Sequence, residues 1–134
     1  MAETKYGKHI VTDVIKPPFG GVFGKYWSLG AQDGELGVDC SVGWHTVAGP
    51  IEFKDPHTHD FAEILCFIGG DATNIRDLGA EIEVCLGEEQ EMHALTSAAV
   101  VSIPAGLVHN PLRIKNVKKP FVFLSIMLTP SYKH

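Results

Sequence analysis

The 134-residue sequence contains no apolar run approaching the roughly 20 residues that a membrane-crossing helix needs. Its first nine residues, Met1-Ala2-Glu3-Thr4-Lys5-Tyr6-Gly7-Lys8-His9, are polar and carry no secretion signal. The expectation is therefore a soluble, cytoplasmic protein. Basic charge is also scarce: 11 Lys and Arg stand against 16 Asp and Glu, a formal net charge of -5, and Lys or Arg cluster nowhere beyond Lys118-Lys119. Such a balance offers no electrostatic footprint for nucleic acid or for an anionic membrane. Cysteines are few and odd in number. Cys40, Cys66 and Cys85 sit among aliphatic and aromatic residues, which reads as free buried thiols and not as a disulfide framework. Repeats, low-complexity tracts and linkers are missing too, so 1–134 is read as a single domain, and 45% apolar composition is enough to fill one core.

No segment sustains a helical period over three turns, and this absence sets the fold class. Short alternating runs, separated by Gly, Pro, Asn and Asp, predict strands at 9–15, 22–29, 36–47, 57–68, 80–86, 91–96, 100–103, 108–114 and 121–128, with a weak helical turn near 74–78. Turn chemistry fills the gaps, as in Pro17-Pro18-Phe19-Gly20-Gly21, Gly69-Gly70-Asp71 and Asn116-Val117-Lys118-Lys119-Pro120. Evenly spaced turns of this kind point to an all-β sandwich or closed barrel.

The chemistry concentrates in Pro56-His57-Thr58-His59-Asp60-Phe61-Ala62-Glu63. On a strand, His57, His59 and Glu63 occupy odd positions and share one face, with Phe61, Leu65 and Phe67 behind them. Two neutral imidazoles and a carboxylate make most of a metal site. Ile103-Pro104-Ala105-Gly106-Leu107-Val108-His109 delivers a further histidine just after a tight turn. A histidine nitrogen binds a first-row metal at about 2.0–2.2 Å, and one carboxylate offsets part of the ion's charge while leaving positions open. The plain alternative is that the histidines cap strand ends and Glu63 is a partly exposed ion-pair partner.

The pattern His57-x-His59-x-x-x-Glu63, the glycine Gly69, and Pro104-x-Gly106-x-x-His109 resemble the two sequence motifs of the cupin superfamily, over about 49–70 and 98–113. That resemblance implies a single-domain jelly-roll β-barrel in which His57, His59, Glu63 and His109 hold one divalent transition metal. Two positions depart from the family pattern at the motif openings: the nearest glycine before His57 is Gly49, further upstream than usual, and Ala98 stands where the second motif opens with glycine. Arg113 replaces an asparagine that often follows the last histidine. The resemblance also implies a homodimer, with the segment at 9–15 as a candidate exchanged strand. Ligand type favours iron or manganese, and such a set also accepts zinc, nickel or copper.

Further residues are candidates for the pocket. Glu83 lies in the alternating run Glu81-Ile82-Glu83-Val84-Cys85-Leu86, whose inward face the sequence leaves open; if the acidic face enters the barrel, Glu83 is a candidate general base. His93 and Tyr26 carry the same ambiguity between catalysis and structure. Arg76, in the long connection after Gly69-Gly70-Asp71, and Arg113, on the strand carrying His109, are candidate substrate-binding guanidiniums, with surface ion pairing as the alternative. His45 is a candidate pocket wall or a packed strand histidine.

Two functional classes follow. The first is an enzyme acting on a small oxygenated organic substrate, of dioxygenase, isomerase, decarboxylase or lyase type. The second is a non-catalytic, metal-dependent module that binds or senses a small molecule. A storage barrel with a vestigial site ranks below both.

Overall fold

A computed structural model describes residues 4–12, 28–31 and 36–129. Nine strands are present in this range: β1 (Ser28–Ala31), β2 (Ser41–Val47), β3 (Ile51–Phe53), β4 (Glu63–Gly69), β5 (Asp77–Leu86), β6 (Glu91–Ser97), β7 (Ala99–Ile103), β8 (His109–Lys115) and β9 (Phe121–Met127). All pairings are antiparallel. One sheet has the order β1-β2-β9-β4-β7 and the other β3-β8-β5-β6, a two-layered all-β arrangement as the alternation led us to expect and the jelly roll that the resemblance implied. Among the described residues no helix is long and apolar enough to cross a membrane.

Several elements differ from expectation, each for a local reason. The strand expected at 57–68 begins only at Glu63; upstream of it, His57 makes an isolated bridge and 58–62 are irregular. At 36–47 the chain first bends, with Gly37 at φ 69°, and becomes a strand at Ser41. The described part of 9–15 contains no strand: Gly7–His9 is a 3-10 helix and 10–12 are irregular, while 13–15 lie outside the described residues, as do 22–27. Around 74–78 the chain makes turns and then enters β5, not a helix. β3 had no counterpart among the expected strands, because three residues between Pro50 and Pro56 are too short a run for alternation to register.

The core lies between the sheets. On the five-stranded sheet the register sets odd-numbered residues of β2, β4, β7 and β9 in rows: Ser41, Met127, Glu63 and Ile103; then Gly43, Ser125, Leu65 and Val101; then His45, Phe123, Phe67 and Ala99. The facing sheet contributes Leu78, Ala80, Ile82, Val84, Leu112 and Ile114, all buried. Polarity thus changes along the axis, from Glu63 at one end to a cluster of phenylalanines at the other. Phe67 is 1% exposed and stacks on Phe123 with ring centroids 5.1 Å apart; Phe53 meets Phe123 edge-on at 6.1 Å.

Alternation is broken once on β8 and once on β5, and these breaks decide what faces the interior. Between His109 and Leu112 the chain passes Asn110, at φ 82°, and the cis peptide to Pro111. His109 and the even-numbered Leu112 and Ile114 therefore all point inward, and Arg113 points out. On β5 the register with β8 shifts between Val84 and Leu86, leaving Cys85 buried. Cys85 is a free buried thiol as expected, whereas Cys40 and Cys66 are free but only partly buried.

At the end of the fold away from Glu63, the turn after β4 is closed by Lys119, whose Nζ lies 2.7 Å from Asp71 and 3.1 Å from Asp77. The backbone is tight here: a Cβ at Gly69 would collide with the carbonyl of Ile75. The Lys119 ammonium, helped by Thr73, holds the Asp71 carboxyl well below its ordinary 3.8. The Gly79 amide, then Lys119, lowers Asp77 as well.

Truncating Phe67 to alanine removes a fully buried ring from the aromatic cluster and is expected to destabilise the fold by about 3–5 kcal/mol, read from the denaturant midpoint. Lys119→Met tests the clasp. Because the carboxylates it holds are depressed in the folded state, their contribution is complete at neutral pH and is lost as pH falls through and below the ordinary value of 3.8. The melting temperatures of wild type and Lys119→Met should accordingly differ at pH 7 and converge in acid; an equal difference across that range would contradict the clasp.

Candidate metal centre

Backbone hydrogen bonds between the two motifs build the site. His57 and His109 exchange both bonds of an antiparallel bridge, N–H to O at 3.1 Å in each direction. Beside them, the Leu107 amide donates to the Pro104 carbonyl at 3.1 Å, and Gly106 sits at φ 86°, the geometry of a type II turn whose third residue favours glycine. The Gly106 amide then donates to the His59 carbonyl at 2.9 Å. In this way the turn preceding His109 also fixes the backbone of His59.

These contacts bring three rings together. Ring centroids are 4.3 Å apart for His57 and His109, 4.7 Å for His57 and His59, and 5.2 Å for His59 and His109. One nitrogen from each lies within 4.8 Å of the others, the spacing of donors around a common ion. His59 is further oriented by Phe61, whose ring stacks on it at 4.6 Å. Nδ1 of His57 faces the Asp55 carbonyl at 2.9 Å and Nδ1 of His109 faces the Leu107 carbonyl at 3.2 Å. A carbonyl only accepts, so both Nδ1 atoms carry the proton and both Nε2 atoms keep a lone pair. Asn110 adds a weaker bond from Nδ2 to the same Asp55 carbonyl at 3.4 Å.

Glu63 completes the group. Its Oε1 lies 3.4 Å from Nε2 of His109 and 4.0 Å from the buried Nε2 of His59, while Oε2 accepts a hydrogen bond from Ser125 Oγ at 2.8 Å. Burial pushes the Glu63 carboxyl above its ordinary range, with the Ser125 hydroxyl and His57 opposing. Burial also lowers His109, with the Leu107 carbonyl opposing and the neighbouring His57 lowering it further. Three imidazoles and one carboxylate converging in this way are a donor set suited to a divalent transition ion.

The other sequence candidates are elsewhere. Glu83 projects from the outer face of β5, paired with Lys115 at 3.0 Å and Arg113 at 3.5 Å; the inward face of that strand is the apolar one, Ile82 and Val84. The expected general base at Glu83 is thus not brought to the site. Arg113 is turned outward by the phase break at Asn110 and is also bonded to Glu52 at 2.9 Å, so it does not line the pocket. His93 lies on β6, a largely exposed strand, and contacts Glu91 at 2.7 Å. Arg76 is exposed in the turn after β4. That turn leaves the far end of a strand whose first residue is Glu63, about 20 Å away at ordinary strand rise, so Arg76 is not brought to the site. Tyr26 lies outside the described residues. The residue that the sequence reading missed is Ser125, an ordinary strand serine with no motif around it.

No family model matches the sequence, and a search of curated proteins finds no match. Solved structures do match. An RmlC-like cupin from Shewanella frigidimarina gives a TM-score of 0.57 at 13% identity, covering 90% of this chain and 87% of that one. The fold is that of the cupin superfamily. KdgF from Halomonas sp. is also similar, with a TM-score of 0.54 at 14% identity over 88% of each chain. The Bacillus subtilis oxalate decarboxylase, a protein with Mn(II) centres, gives 0.54 at 17% identity; 81% of this chain is covered but 26% of that one. At these identities the likeness is one of fold, and the chemistry must be argued from the side chains of this chain itself.

Proposed function

We propose that this protein is a mononuclear metal-dependent enzyme acting on a small oxygenated organic substrate, with His57, His59, Glu63 and His109 holding a divalent transition metal. The observation that carries the reading is the convergence of three histidine nitrogens within 4.8 Å, with a buried carboxylate oxygen 3.4 Å from one of them. Support also comes from the shared fold of an oxalate decarboxylase with Mn(II) centres. Iron or manganese remains the favoured ion on ligand type. When bound, such an ion supplies Lewis-acid polarisation of a substrate oxygen, or redox chemistry with dioxygen.

The protein's own part is positional and electrostatic. The carbonyls of Asp55 and Leu107 keep two imidazoles in the tautomer that leaves Nε2 available. Glu63 offsets part of the ion's charge. Leu65, Phe67 and Phe123 form an apolar floor behind the ligands, which limits water from below and strengthens the electrostatics in front of it.

The outward placement of Glu83 favours chemistry that asks for no protein base at that position, such as dioxygen activation, over proton-transfer isomerisation through that residue. The same placement favours, as a second reading, a module that binds its small molecule without turnover. A homodimer is part of the proposal. Its support is the outer face of the five-stranded sheet, where Ile68 and Val100 are 41% and 69% exposed and Cys66, on the same face, is only partly buried.

Elemental analysis of protein purified without added metal should give about one ion per chain, and His59→Ala should reduce this to a trace; full occupancy in the variant would contradict the ligand set. Oxygen uptake with small hydroxy- and oxo-acids separates the readings, since a binding module would saturate without consuming oxygen. Light scattering should give twice the monomer mass, and a monomer would remove the dimer from the proposal.

A further inference from the structure

The carboxylate of Glu63 has two oxygens with different surroundings. Oε1 faces the imidazoles, and Oε2 accepts from Ser125 at 2.8 Å. Ser125 is 6% exposed on β9, the strand hydrogen-bonded to both β2 and β4, and its register partners are Gly43 on one side and Leu65 on the other. Its side chain is on the inner face, one row behind Glu63. A buried strand hydroxyl is often satisfied by a backbone carbonyl, as Ser41 is by Thr129 at 2.6 Å. The Ser125 hydroxyl donates instead to a buried carboxylate, a charge-assisted bond when that group is ionised.

We propose that Ser125 is a positioning residue for the metal centre, selecting Oε1 of Glu63 as the oxygen presented to the ion by holding Oε2 in a hydrogen bond. The proposal rests on the metal reading above and goes beyond it, because it assigns a role to a residue that neither motif contains. Without the hydroxyl, the carboxylate is free to rotate and to present either oxygen or both. Gly43, directly across from Ser125, has no side chain.

The test uses Co(II) as the probe, titrated into metal-free protein and followed by its visible d–d absorption, with Ser125→Ala, Ser125→Val and Ser125→Thr. Threonine and valine have the same shape and differ in the hydroxyl. The alanine and valine variants should bind Co(II) about tenfold or more weakly, with altered band positions or intensity, and threonine should restore affinity and spectrum to near wild type. Melting temperatures of the metal-free variants report packing separately from ligation. Alanine and valine variants that bind Co(II) as wild type does, with an unchanged spectrum, would overturn the role of Ser125 and leave the metal site standing. A threonine variant as stable as wild type when metal-free but no better than valine in binding would overturn it too. Wild-type protein that takes up no Co(II) would sink the metal reading itself.

Discussion

The pair of backbone hydrogen bonds between His57 and His109 is the constraint on which the site depends. Segments far apart in sequence are joined there not by side-chain packing but by a two-residue antiparallel bridge, extended by the Gly106 amide to the carbonyl of His59. Once the backbones are fixed, the rings have little choice of direction. A carboxylate then enters from β4 on the same inner face, and four donors share a space that apolar residues close from behind. Such an arrangement concentrates lone pairs and one negative charge in a region of low dielectric, where a cation is the natural complement.

The two ends of the jelly roll are built on different physics. At the Glu63 end the inner rows contain Ser41, Gly43 and Ser125, small or polar residues near the histidine cluster. At the other end Phe67, Phe121 and Phe123 fill the interior, and outside them the Lys119 clasp ties down the turn that follows β4. The aromatic end supplies stability. The polar end, relieved of that duty, can hold groups that would be costly in a core.

Much of this was legible in the sequence. The all-β class followed from short alternating runs, and most strands from β4 onward appear close to where alternation and turn residues put them. The grouping of His57, His59, Glu63 and His109 was legible because their spacing is rigid and their residue types are unusual together. The pocket walls were not. Strict alternation on β8 would have put Arg113 on the same side as His109, and a single residue at φ 82° reverses that. The inward face of β5 could not be read, since Ile82-Val84 and Glu81-Glu83 alternate equally well; ion pairs from Lys115 and Arg113 on the outer surface settle it. Ser125 had no signal, because its meaning comes from a neighbouring strand whose register no local pattern reveals.

The tautomers of His57 and His109 are held by main-chain oxygens, and this has an evolutionary consequence. Side-chain replacement at positions 55 or 107 leaves the carbonyl in place, so ordinary sequence drift has little purchase on how strongly those two imidazoles donate. Divergence of reactivity in descendants of this scaffold would instead run through whatever touches the carboxylate, and through the residues that shape the cavity mouth.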